Sequence, residues 1–170
     1  MSSATSTQPN QWPDALQPPD PARVAALLPA YWRTLDGLPD LLTRGESLLA
    51  EELTVTLRTL VIEMMLAMNG IARPAATRHL NGYLGASQRA VLERTLVAPD
   101  SSADTWLARA VALTVIVGWY APQIVERFGL EPPAKLEAAV LAHLAAALPD
   151  WPLDIRSDPP PGAVGNGGPP

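Results

Sequence analysis

Between Asn69 and Arg89 the chain gathers side chains that can bind or catalyse: Asn69, Arg73, Arg78, His79, Asn81, Tyr83, Gln88 and Arg89. Each can form hydrogen bonds, and the three arginines carry fixed positive charge. Glycines at 70, 82 and 85 let the backbone come close to a ligand. Guanidinium forks beside exposed amide N–H groups bind anions such as carboxylate and phosphate. A helix beginning near Ser87 would add the positive end of its dipole. This segment is the candidate ligand site, and an anionic, nucleotide-like small molecule is what it would take. The competing reading is a solvated connection in which Asn69 and Asn81 cap helix ends.

Elsewhere the chemistry is incomplete. There is no cysteine, so disulfides, thiolate metal sites and cysteine nucleophiles are excluded. His79 and His143 are far apart in sequence and show no metal-ligand spacing. The serines have no recognisable His–Asp partners, and no phosphate loop, dinucleotide fingerprint or carboxylate pair is present. No catalytic residue, metal or cofactor is expected. Glu63 lies among apolar residues and reads as the partner of Arg78 or, if unpaired and buried, as a candidate base. Met64, Met65 and Met68 read as core filler, and Trp106, Trp119 and Tyr120 as inter-helix packing. Tyr31 and Trp32 anchor the first helix, and His143 sits at a bundle edge.

The elements that must carry these residues are helices. Nearly half of the 170 residues are apolar, and Ala and Leu supply most of them. The first helix starts at Pro21 with Asp20 as its cap, buries Val24, Leu27, Leu28, Tyr31, Trp32 and Leu35, is kinked by Pro29, and ends at Gly37 and Pro39. A long second helix follows from Asp40 to Gly70. Its stripe is Leu42, Leu49, Leu53, Leu57, Leu60, Met64 and Met68, widened by Leu41, Leu48, Val61 and Met65. Arg44, Glu51, Glu52 and Arg58 lie off that stripe.

Residues 71–86 form a polar connection, and a short helix from Ser87 to Leu96 turns Val91, Leu92 and Leu96 inward. Ser101 and Asp104 resemble a capping box for a helix from Ala103 to Phe128, apolar nearly all round between Val111 and Trp119 and bent at Pro122. The last helix, Pro133 to Leu148, presents Leu136, Val140, Leu144 and Leu148 on one face, and Trp151 locks the following segment onto the core. The predicted fold is all-α, an antiparallel up-and-down bundle of four to five helices over residues 20–156. Residues 1–19 and 157–170, rich in Pro, Ser or Gly, are predicted to be disordered.

The net charge is −5 with a pI near 4.9, so nucleic-acid binding is not expected. Eleven of the twelve basic residues are Arg, with Lys135 the exception. The N-terminus carries no signal-peptide pattern, and the run Ala110–Ala121 is shorter than the roughly 20 residues a membrane span needs. A cytoplasmic location away from membranes is expected.

The stretch from Leu41 to Phe128 resembles the helical C-terminal, substrate-binding domain of aminoglycoside-type nucleotidyltransferases, related to the HEPN helical superfamily. The likeness lies in a long helix ending LAMNG (66–70), then RPAATRHLNGYL (73–84), then a second long apolar helix. Asn69, Gly70, Pro74 and Arg78 occupy the positions of that family's Asn-Gly turn, proline and basic residue. The resemblance implies a stand-alone helical module that helps hold a substrate without transferring nucleotides, since the catalytic α/β domain is not in this sequence. HEPN ribonucleases place an Arg a few residues ahead of a His, and Arg73 with His79 resembles that pair, which would make His79 a general acid–base. The expected function is a non-catalytic binding module for an anionic small molecule or a partner protein. The alternatives are a structural homodimer joined through an apolar helix face, and a HEPN-like ribonuclease.

Overall fold

The computed structural model describes residues 16–97 and 100–155. The fold is an all-α bundle, with no strand among the described residues. Its elements are α1 (Pro21–Leu35), α2 (Leu38–Arg44), α3 (Ser47–Met68), a 3₁₀ turn (Leu80–Tyr83), α4 (Ala86–Arg94), α5 (Ala103–Phe128) and α6 (Ala134–Ala147). The termini predicted to be disordered fall largely at 1–15 and 156–170, outside the described residues. Within 16–19, Leu16 packs on the core and the Gln17 carbonyl accepts from the Ala72 amide at 2.7 Å.

Chain direction follows from the contacts. Arg23 near the start of α1 meets Glu63 near the end of α3, so these helices run antiparallel. α4 starts beside Asn69 at the end of α3 and leads back to Arg58 in its middle. α5 then runs along α3 in the same direction, with Arg109 at Glu51 and Arg127 at the Met68 carbonyl. The short α4 is thus the return stroke of an up-and-down bundle, and its brevity lets α3 and α5 become direct neighbours.

The core between α1, α3 and α5 buries Leu28, Tyr31, Leu35, Leu57, Val61, Met64, Met65, Leu113, Val117, Tyr120 and Ile124. Met64 and Met65 are filler, as read from the sequence. Removing that much apolar area from water is the main stabilising contribution. α5 is long and apolar enough to cross a membrane by length and composition, and in this fold one of its faces packs against α1 and α3.

The predicted long second helix is two helices. The break is at Gly45, whose φ of +68° places it in the left-handed region. Its amide bonds the Leu42 carbonyl, and the Glu46 amide bonds that of Leu41, closing the helix end. The turn also shifts the buried face. Leu48 and Leu49, placed on the stripe by periodicity, are exposed, while Ala50, Thr54 and Arg58 point inward. Two smaller expectations also change. Leu96 is exposed, and the cap of α5 is Ser102 rather than Ser101.

Arg58 is buried because it ties three elements together. Its Nε donates to Thr95 Oγ1 at 3.0 Å and its Nη2 to the Thr95 carbonyl at 2.9 Å. Arg109 Nε donates to the same carbonyl at 3.2 Å, while its Nη1 meets Glu51 at 2.7 Å. Trp106 lies under the Arg109 guanidinium at 5.1 Å. Burial lowers the pKa of Arg58, Arg109 beside it lowers it further, and Glu51 opposes both.

Two stability measurements check this account. A Cβ at Gly45 would meet nothing within 4 Å, so Gly45→Ala isolates the backbone cost. We expect a loss of about 1 kcal/mol in urea unfolding. Arg58→Ala should cost about 3 kcal/mol, because the buried Thr95 hydroxyl loses its charged donor and the Thr95 carbonyl loses one of its two. A loss no larger than that of an exposed arginine such as Arg44 would refute the clamp.

Candidate functional site

The predicted polar segment divides into two sets. Asn69, Tyr83 and Gln88 are structural. Asn69 Nδ2 donates to the Tyr83 carbonyl and to Gln88 Oε1, both at 2.9 Å, and Gln88 Nε2 returns a bond to Asn69 Oδ1 at 3.2 Å. Gln88 Oε1 also accepts from the Gly85 amide at 2.9 Å, which caps the start of α4. The buried Tyr120 hydroxyl hydrogen-bonds Gln88, and burial raises its pKa more than that bond lowers it. The end of α3 is closed by Gly70, at φ +79°, with the Ile71 amide on the Leu66 carbonyl. Asn69 therefore serves a helix end, as the competing sequence reading proposed, and Asn81 lies exposed in the 3₁₀ turn.

The second set, Arg73, Arg78 and His79, is exposed. Arg73 borders a small cleft with Arg23 and Glu63, of about 30 Å³, room for roughly one water. Arg89 is half-buried, and its Nε has no hydrogen-bond partner. Glu63 does not pair with Arg78. It takes a forked ion pair from Arg23, with contacts of 3.1 and 3.2 Å. Arg23 lies in the first turn of α1 and reaches Glu63 across the antiparallel pair, a juxtaposition with no local sequence signal.

The larger cavity lies elsewhere, between α5, α6 and residues 151–155, with a volume of about 410 Å³. That is within the range of small-molecule sites. Trp32 of α1 contributes its floor. On α5 the wall is Thr114, Val115, Val117, Gly118, Trp119 and Ala121. On α6 it is Glu137, Leu141 and Ala145, spaced four apart and so on one face. Trp151, Pro152, Leu153, Asp154 and Ile155 cross the end.

The space has a packing cause. α6 docks on α1 and its backbone approaches α5 at few points. His143 Nδ1 meets Asp36 Oδ1 at 2.8 Å, holding α6 at the end of α1. Where α5 and α6 face each other, Gly118, Ala121 and Ala145 are too small to fill the gap. A Cβ on Gly118 would meet nothing within 4 Å. The floor is fixed by Tyr31, next to Trp32, whose hydroxyl and that of Thr114 are 2.9 Å apart. Thr114 in turn donates to the Ala110 carbonyl at 2.8 Å. Burial raises the Tyr31 pKa well above the usual phenol value, so the hydroxyl keeps its proton.

Sequence reasoning assigned Trp119 and Trp151 to packing alone. The one local signal for a cavity was Gly118 inside an otherwise bulky apolar helix. Among the described residues no cluster of three or more His, Asp or Glu side chains could hold a metal ion. No protein-family model, curated protein or solved structure matches the chain.

Gln88→Ala should destabilise the fold by about 2 kcal/mol, because it removes the acceptor of the Gly85 amide and the donor to Asn69 Oδ1. Chemical unfolding measures this, and a neutral result would remove the structural role given to the Asn69–Gln88 pair. Tyr31→Phe should cost about 1 kcal/mol while leaving the far-UV spectrum unchanged.

Proposed function

We propose that this chain is a non-catalytic helical binding module whose site is the groove between α5 and α6. The observation that carries this reading is the cavity of about 410 Å³ walled by Trp32, Trp119 and Trp151. A space of that size lined by indoles and aliphatic side chains gains free energy when a ligand's apolar surface replaces water. The arrangement offers no nucleophile with a base beside it, so binding is the chemistry it supports.

A second reading rests on Arg89. Its buried Nε has no hydrogen-bond partner among the described residues, and an anion at the connection before α4 would supply one. This is the reading to which the likeness to nucleotidyltransferase helical domains belongs. It predicts that inorganic phosphate or a nucleoside triphosphate raises the melting temperature and that Arg78→Ala or Arg89→Met removes the effect. No shift with the wild-type protein would end it.

The groove reading is tested with Gly118→Leu, which builds a side chain into the cavity from a position with open space. We expect helicity and melting temperature close to wild type, and loss of the tryptophan-fluorescence response to apolar aromatic probes. A variant that binds such probes as well as the wild type would refute it.

A further inference from the structure

Four of the six large apolar side chains that stand exposed among the described residues fall at one end of the bundle, away from the groove. They are Leu48, Val55, Leu96 and Val97, at 83, 45, 56 and 74 % of full exposure. Leu48 and Val55 are seven residues apart in α3 and share a face. The arginine clamp brings the other two beside them. Arg58, one turn after Val55, binds Thr95, and Arg109 reaches both the Thr95 carbonyl and Glu51, which lies between Leu48 and Val55 in α3. Leu96 and Val97 follow Thr95 directly, so they stand next to the first half of α3. Charge lies at two edges of this patch. Glu52 is one turn after Leu48, and Arg94 immediately precedes Thr95. Both are exposed, and neither side chain has a partner among the described residues.

We propose that this patch is a two-fold interface between copies of the chain, an assembly that does not depend on the groove reading. In a two-fold contact the same surface meets itself, so Glu52 of one copy faces Arg94 of the other, twice over. A patch with an unpaired acid at one edge, an unpaired base at another and an apolar centre is complementary to itself in that arrangement. The four apolar side chains expose roughly 400 Å² per copy, about half of the roughly 800 Å² each partner gives to a standard interface, and the polar rim supplies the rest. The clamp beneath the patch fixes its backbone before contact, which lowers the ordering cost of association.

The test is sedimentation velocity on the full chain from roughly 1 to 100 µM, which brackets the micromolar dissociation expected of a modest interface. We expect a reversible monomer–dimer equilibrium. Leu48→Glu with Val97→Glu should abolish the dimer and leave helicity unchanged, because both side chains lie in solvent in the single copy. Leu153→Glu, exposed at the groove, should leave the dimer intact. Glu52→Arg and Arg94→Glu should each weaken association about tenfold by setting like charges opposite one another, and the two together should restore it to within about threefold of wild type. A monomer at every concentration overturns the proposal, and a melting temperature lowered in its Leu48→Glu, Val97→Glu variant would then show the face to be covered from within the chain. A dimer that survives that variant is joined elsewhere and overturns the proposal too. A combined charge swap no better than either single one overturns the two-fold pairing.

Discussion

The docking of α6 on α1, rather than flush against α5, is the constraint on which the rest of the molecule depends. A bundle helix normally buries its apolar face in the groove of each neighbour. Here α6 buries Val140 and Leu144, and the remaining face, Glu137, Leu141 and Ala145, looks across open space toward α5. Small residues on both sides leave that space unfilled. Trp151 is buried after α6 and brings the segment 152–155 across the end of the gap. The cavity is thus a product of helix placement, and the side chains on its walls decide what can occupy it.

The opposite side of the bundle shows how a polar core is kept satisfied. Two arginines, Arg58 and Arg109, are buried against one carboxylate. Isolated charges there would be strongly unfavourable. Three features offset the cost: the Thr95 carbonyl accepts from both guanidiniums, Glu51 supplies a counter-charge, and Trp106 lies against Arg109. The same carbonyl joins α3, the end of α4 and the start of α5. A short return helix can therefore hold two long parallel helices in register, which it could not do through its few apolar side chains alone. The exposed Leu96 and Val97 follow at once, since the chain turns outward after Thr95.

The eight polar residues of the 69–89 segment illustrate why a cluster in sequence need not be a cluster in space. Asn69 and Gln88 face each other across the turn and satisfy one another, so their polarity serves chain reversal. Arg73, Arg78 and His79 stand exposed. Sequence proximity could not separate these roles, because both need the same residue types. The difference lies in whether a second polar group reaches within about 3 Å, which depends on how α4 is laid against α3.

The sequence by itself determined the all-α fold, most helix boundaries and much of the core. These follow from local causes: apolar residues recurring at helical spacing, Asp20 capping α1, and glycines at 70 and 129 ending helices in a conformation that other residues resist. It missed the break at Gly45, because the apolar pattern runs on through Leu48 and Leu49 and only the backbone turn reveals the change of face. Tertiary structure alone decided the pairing of Glu63 with Arg23, the burial of Arg58, and the groove. Its walls come from α5, α6 and the segment after α6, with Trp32 added from α1, far away in the chain. Periodicity reports which face of a helix turns inward, whereas a cavity arises from the distance between two helices, and that distance is fixed by packing against a third.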